Sequence, residues 1–93
     1  MAIDVDAHEA RRAQELLSLT ATEFALLRYL AEHQRRVLSK DELLRKVWGA
    51  DFDGAAHVVE LYVSYLRKKV DSGREPLIHT VRGEGYVMRP PLA

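Results

Sequence analysis

Few side chains in this 93-residue chain are placed to do covalent chemistry. Ser18, Ser39, Ser64 and Ser72 could serve as nucleophiles, but none stands in a G-x-S-x-G turn, and Ser39 has a structural use as a helix cap. His8, His33, His57 and His79 fall on separate elements. They show neither the H-x-x-x-H nor the H-E-x-x-H spacing that puts two imidazoles on one helix face for a metal. Gly83-Glu84-Gly85 is too short to cradle a phosphate and lies between two strand-like runs, where glycine serves a turn of positive φ. No cofactor, metal or catalytic group is expected, so the chain does not read as an enzyme. What is left is charge. Arg67, Lys68, Lys69, Arg74, Arg82 and Arg89 outnumber Asp71, Glu75 and Glu84 in the last third, whereas the first part is rich in acids. The formal net charge is zero, so only this distribution could give phosphate an electrostatic footprint; a solvated charged face fits the same count.

These cations need elements to hold them. The length allows one small domain, and 47% hydrophobic with 30% charged residues is globular composition rather than that of a disordered segment. Cysteine is absent, which removes disulfides and thiolate sites together. No apolar run approaches the roughly 20 residues that span a bilayer, and the N-terminus lacks a signal-peptide pattern. A cytoplasmic protein with no membrane partner is expected.

Ile3 and Val5 alternate with Asp4 and Asp6, a short strand signal. From His8 to Leu17 the propensity is helical, yet Leu16, Leu17 and Leu19 suit a strand, and the residues alone leave both open. Thr20 with Glu23, and Ser39 with Glu42, are capping boxes that open two helices. The first runs to about Gln34 and turns Phe24, Leu27, Leu30 and Ala31 to one face, with Arg28 and Glu32 as an i,i+4 pair off it. The second carries the stripe Leu43, Leu44, Val47 and Trp48, and Gly49 stops it. A loop follows to Ala56. In the third helix Val59, Val63, Leu66 and Val70 form a core face, and His57, Leu61, Ser64 and Lys68 lie opposite, flanked by Glu60 and Tyr65. Ser72-Gly73 ends it. LIHTV and YVM then form a hairpin with Arg82 at its tip, and Pro90-Pro91 closes the domain.

Two capped helices, a third with an apolar inner and polar outer face, and an arginine-tipped hairpin follow the element order of a winged helix-turn-helix. Such a helix fits the major groove of duplex DNA, and a hairpin arginine suits the minor groove. The runs RVLSKDELLRKVWG, VVELYVSYLRKKVD and LIHTVRGEGYVMR, with TATEFALLRYL before them, resemble the C-terminal effector domain of OmpR/PhoB-type response regulators of two-component systems. The resemblance covers nearly the whole chain, with the motifs in the family's order and spacing.

The resemblance implies an α+β fold with an N-terminal antiparallel sheet, which turns Ala10 to Arg12 and Leu16 to Leu19 into strands. It implies transcription control, with double-stranded DNA as the partner, bound as direct repeats by head-to-tail pairs. It makes residues 49–56 a loop that can touch RNA polymerase, and it places the phosphorylated aspartate on a separate receiver domain served by a sensor kinase, a domain this chain lacks. His57, Val58, Leu61, Tyr62, Ser64, Tyr65, Arg67 and Lys68 match positions that face DNA in the family. Arg67 and Lys68 would neutralise phosphates. Leu61 would meet a thymine methyl, and Tyr62 admits both a core-edge and a base-contact role. Trp48 would touch a phosphate, although core packing explains it equally well. Arg82 matches the minor-groove arginine and Thr80 would add a phosphate contact; a solvated turn is the alternative for Arg82. The sequence departs from the family twice. Ser64-Tyr65 stands where many relatives carry arginine for base contact, and the Ala13-Gln14-Glu15 turn lacks the glycine often found there. The rival reading is a winged helix that contacts protein, which would require an exposed apolar patch.

Overall fold

Burial decides the open question of residues 8–17. In the computed structural model, which describes residues 1–90, Ala10 and Arg12 turn inward while Glu9 and Arg11 face solvent, the period of a strand with one covered face. β1 (Ala2–Asp4), β2 (Glu9–Arg12) and β3 (Glu15–Leu16) form an antiparallel sheet in that order. The strand expected over Leu16–Leu19 is shorter. The Leu17 N–H still donates to Ala10 O at 2.9 Å, but the chain then leaves the ladder to bring Thr20 to its cap. Arg12 pairs with Glu15 across the sheet, so Ala13 and Gln14 make a two-residue turn at φ 51 and 69, a conformation normally given to Asn-Gly.

α1 (Ala21–Glu32) opens with both halves of its capping box, Glu23 N–H to Thr20 Oγ1 at 3.2 Å and Thr20 N–H to Glu23 Oε1 at 2.8 Å. It buries Phe24, Leu26, Leu27 and Leu30. It ends before Gln34 because Arg35, at φ 70, turns to donate its N–H to Met88 O. α2 (Lys40–Leu43) keeps only half of its expected box: Ser39 Oγ accepts from the Glu42 N–H at 3.0 Å. The Glu42 carboxylate instead accepts from the Tyr29 hydroxyl at 2.6 Å and from Arg36. The helix continues into a π turn (Leu44–Trp48), which Gly49 ends at φ 111. α3 (His57–Val70) buries Val59, Val63, Leu66 and Val70, the core face read from the sequence.

A buried ion pair closes the end of α3. Arg12 donates to Val70 O at 2.7 Å, to Asp71 Oδ1 at 2.9 Å and to Glu75 O. Asp71 in turn accepts the N–H groups of Leu77 at 3.0 Å and Ile78 at 3.2 Å, starting the wing. β4 (Ile78–Val81) and β5 (Gly85–Met88) pair antiparallel, and Leu38 joins β5 by exchanging both hydrogen bonds with Tyr86. The result is the winged helix-turn-helix expected. Pro91, the second of the closing prolines, lies outside the described residues.

Leu38 approaches β5 so closely that a Cβ at Gly85 would sit 2.0 Å from Leu38 O. Gly85→Ala should therefore cost about 3 kcal/mol or more in urea unfolding, since backbone is slow to yield. A second expectation concerns acid. Burial pushes the Glu23 carboxyl upward, but the Lys69 ammonium at 2.7 Å and the Thr20 cap outweigh it and hold the group below its ordinary value of 4.5. Its stabilisation is complete above that pH and is lost as pH falls through the lower folded value. Glu23→Gln should flatten the acid limb of the stability curve while keeping the cap.

Candidate nucleic-acid interface

One stripe of α3 faces outward along its whole length: His57, Leu61, Ser64, Tyr65 and Lys68 recur at helical spacing and are all exposed. Leu61 and Tyr65 are each 41% exposed. On one side of this stripe lie Val58 and Tyr62, both partly buried. Tyr62 packs edge-on against Trp48 at 5.3 Å and against Tyr65 at 5.6 Å, and Trp48 lies 6.5 Å from Phe52 in the loop of residues 49–56. Trp48 therefore does pack, partly buried, against the flank of α3, and four aromatic rings connect that loop to the outward stripe.

The other flank belongs to the wing. Arg67 Nη2 donates to Thr80 Oγ1 at 2.5 Å, its Nε donates to Ile78 O at 3.3 Å, and its guanidinium lies 5.5 Å over the Tyr86 ring. Arg67 and Thr80, both expected as phosphate contacts, thus bind each other and brace helix against hairpin. Arg82 stands exposed at the tip, in a turn where Glu84 N–H reaches Val81 O at 2.9 Å and Gly83 takes φ 78. That is the position where a type II turn needs positive φ. Lys68 and Arg82 make no ion pair among the described residues.

The sequence left Glu60 as a mere flanking acid, where its charge would repel phosphate. In the structure it accepts from Lys40 Nζ at 2.9 Å and lies 3.0 Å from His57 Nδ1. Hydrogen bonds from Lys40 and then His57 hold its carboxyl below the usual range, and Glu60 in return raises the Lys40 ammonium. The i,i+3 spacing of His57 and Glu60 was the one available signal; Lys40 lies on another helix and gave none. The histidines do not converge, and no cluster of metal-ligating residues occurs among the described residues.

Residues 13–88 match the family model described as "Transcriptional regulatory protein, C terminal". The chain belongs to this family. It is the C-terminal domain type of OmpR/PhoB-type response regulators, a family of transcriptional regulators and not of enzymes. It is 57% identical over 90 residues to "Probable transcriptional regulatory protein TcrX" of Mycobacterium tuberculosis, covering 97% of this chain and 38% of that protein. It is 49% identical to the response regulator MprA of the same organism, covering 96% of this chain and 39% of that protein. The chain thus spans less than two fifths of these curated relatives. The solved DNA-binding domain of Klebsiella pneumoniae RstA, in complex with the RstA box, superposes with a TM-score of 0.82 at 31% identity, covering 95% of this chain and 89% of that one. No helix among the described residues of this effector domain is long and apolar enough to cross a membrane.

The two neighbouring cations of α3 should separate in a stability assay. Arg67→Met should cost about 1.5 kcal/mol, the worth of hydrogen bonds from a charged group, whereas Lys68→Met should stay within about 0.5 kcal/mol of the parent. Urea unfolding of the two variants measures the difference.

Proposed function

We propose that this domain binds duplex DNA sequence-specifically to control transcription, with α3 in the major groove and Arg82 of the wing in the minor groove. The observation that carries the reading is the joint placement of the outward α3 stripe, ending in Lys68, beside a wing tipped by Arg82, with the intervening acid Glu60 neutralised by Lys40. Cations without internal partners are those able to release counterions from DNA phosphates. The RstA domain, solved on its own DNA box, supports the same use of this fold.

In this reading Lys68 contacts phosphate, Trp48 supports Tyr62 at the groove edge, and Arg67 with Thr80 sets the angle between helix and wing. His57, Val58, Leu61, Ser64 and Tyr65 meet the groove floor. The regulator occupies direct repeats as head-to-tail pairs in the cytoplasm, with residues 49–56 available to RNA polymerase and a receiver domain, phosphorylated through a sensor kinase, in the full-length protein. A protein-contact role draws on exposed Phe52, Leu61 and Tyr65, but Ser64 and Lys68 interrupt that surface.

Selection of binding sites from genomic fragments tests the proposal: a direct repeat should be enriched, and equal binding to the best site and a scrambled duplex would overturn it. On that site Lys68→Ala should reduce the slope of log K against log salt by about 0.9, and Arg82→Ala should cost about 1 to 3 kcal/mol. Fluorescence anisotropy at several salt concentrations reads both.

A further inference from the structure

We infer that the outward stripe of α3 discriminates base pairs through thymine C5-methyl groups, with Leu61 and Tyr65 as the readers, and not through hydrogen bonds to guanine or adenine. The inference rests on the duplex-DNA reading above and names what that surface recognises.

The side chains that hydrogen-bond base edges in pairs are missing or engaged. Arginine is the usual partner of guanine O6 and N7, and asparagine or glutamine that of adenine N6 and N7. α3 contains neither amide residue, and its single arginine, Arg67, is turned to the wing by its bonds to Thr80 and Ile78. Glu60 could accept from the cytosine amino group, yet its carboxylate is already turned to Lys40 through Oε1 and to His57 through Oε2. The same contact engages His57 Nδ1.

Between its polar members His57, Ser64 and Lys68, the stripe presents two large side chains with apolar surface. Leu61 and Tyr65, one helical turn apart, are each 41% exposed, and Ser64 lies beside them. The thymine methyl is the one apolar group on the major-groove edge of the four bases, so it is the feature such a surface can select. Tyr65 is held in place by its edge contact with Tyr62, which in turn packs on Trp48. A rigid aromatic pays little ordering entropy on contact, which favours selectivity. Lys68, His57 Nε2 and the hydroxyls of Ser64 and Tyr65 can still offer single hydrogen bonds to a guanine, and the experiment separates these from methyl contact.

The test starts from the best site enriched with the 93-residue chain. Each thymine of its major-groove half-site is replaced in turn by deoxyuridine, which removes the methyl and keeps the pairing. Each guanine is replaced by 7-deazaguanine, which removes the N7 acceptor. Dissociation constants should rise about fourfold for each methyl that is read, the worth of one buried methyl group. Leu61→Ala, at an exposed position, should abolish that sensitivity at one thymine, and 7-deazaguanine should change binding less than twofold. Retained selectivity over a scrambled duplex, with deoxyuridine neutral everywhere and a tenfold loss at a guanine, overturns the inference and leaves DNA binding standing. Failure to enrich any sequence removes the DNA reading itself and this inference with it.

Discussion

One guanidinium–carboxylate pair, Arg12 with Asp71, joins the beginning of the chain to its end, and the other elements are arranged around it. Both side chains are about nine-tenths buried, so each charge depends on the other and on the hydrogen bonds around it. Arg12 takes the last carbonyl of α3, that of Val70, which has no partner within the helix, and Asp71 takes two backbone donors at the entry to the wing. The N-terminal sheet thereby fixes where α3 stops and where the hairpin begins. The Arg74–Glu15 contact at 2.7 Å repeats the same linkage nearer the surface. The same pairing favours a strand over residues 9–12, because the alternation of that strand turns Arg12 inward to Asp71.

Local signals in the sequence reached as far as local physics does. The capping box at Thr20, the i,i+4 pair of Arg28 and Glu32 at 3.2 Å, and the valine stripe of α3 all stand where spacing placed them, because each is decided within one or two turns. Propensity failed where tertiary contacts ruled. EARRAQELL has a helix former's composition and forms a hairpin, and the second capping box lost its glutamate to Tyr29 and Arg36. The π turn at Leu44–Trp48 and the bond between Leu38 and Tyr86 had no sequence signature that spacing could expose.

The candidate site was legible as a stripe of residues but not as a set of alliances. Spacing put His57, Leu61, Ser64 and Lys68 on one face, and they share it. It could not say that Thr80 would receive Arg67, or that Lys40 would cross from α2 to Glu60. Those contacts join residues 13 and 20 positions apart, and only the fold brings them within reach. These hydrogen bonds on one side and the Trp48–Tyr62–Tyr65 packing on the other fix the flanks of the outward stripe, so the surface is organised before any ligand arrives.

Three consecutive cations, Arg67, Lys68 and Lys69, would count as a single basic block in any charge map drawn from the sequence. The helix sends them three ways, since neighbours along an α-helix point about 100° apart. Arg67 braces the wing and Lys69 neutralises buried Glu23 on α1, so two of the three already have a countercharge or dipole supplied from within. The ionic atmosphere around this helix end is accordingly thinner than its composition advertises, and the polyelectrolyte contribution of the block is closer to that of one ammonium than of three.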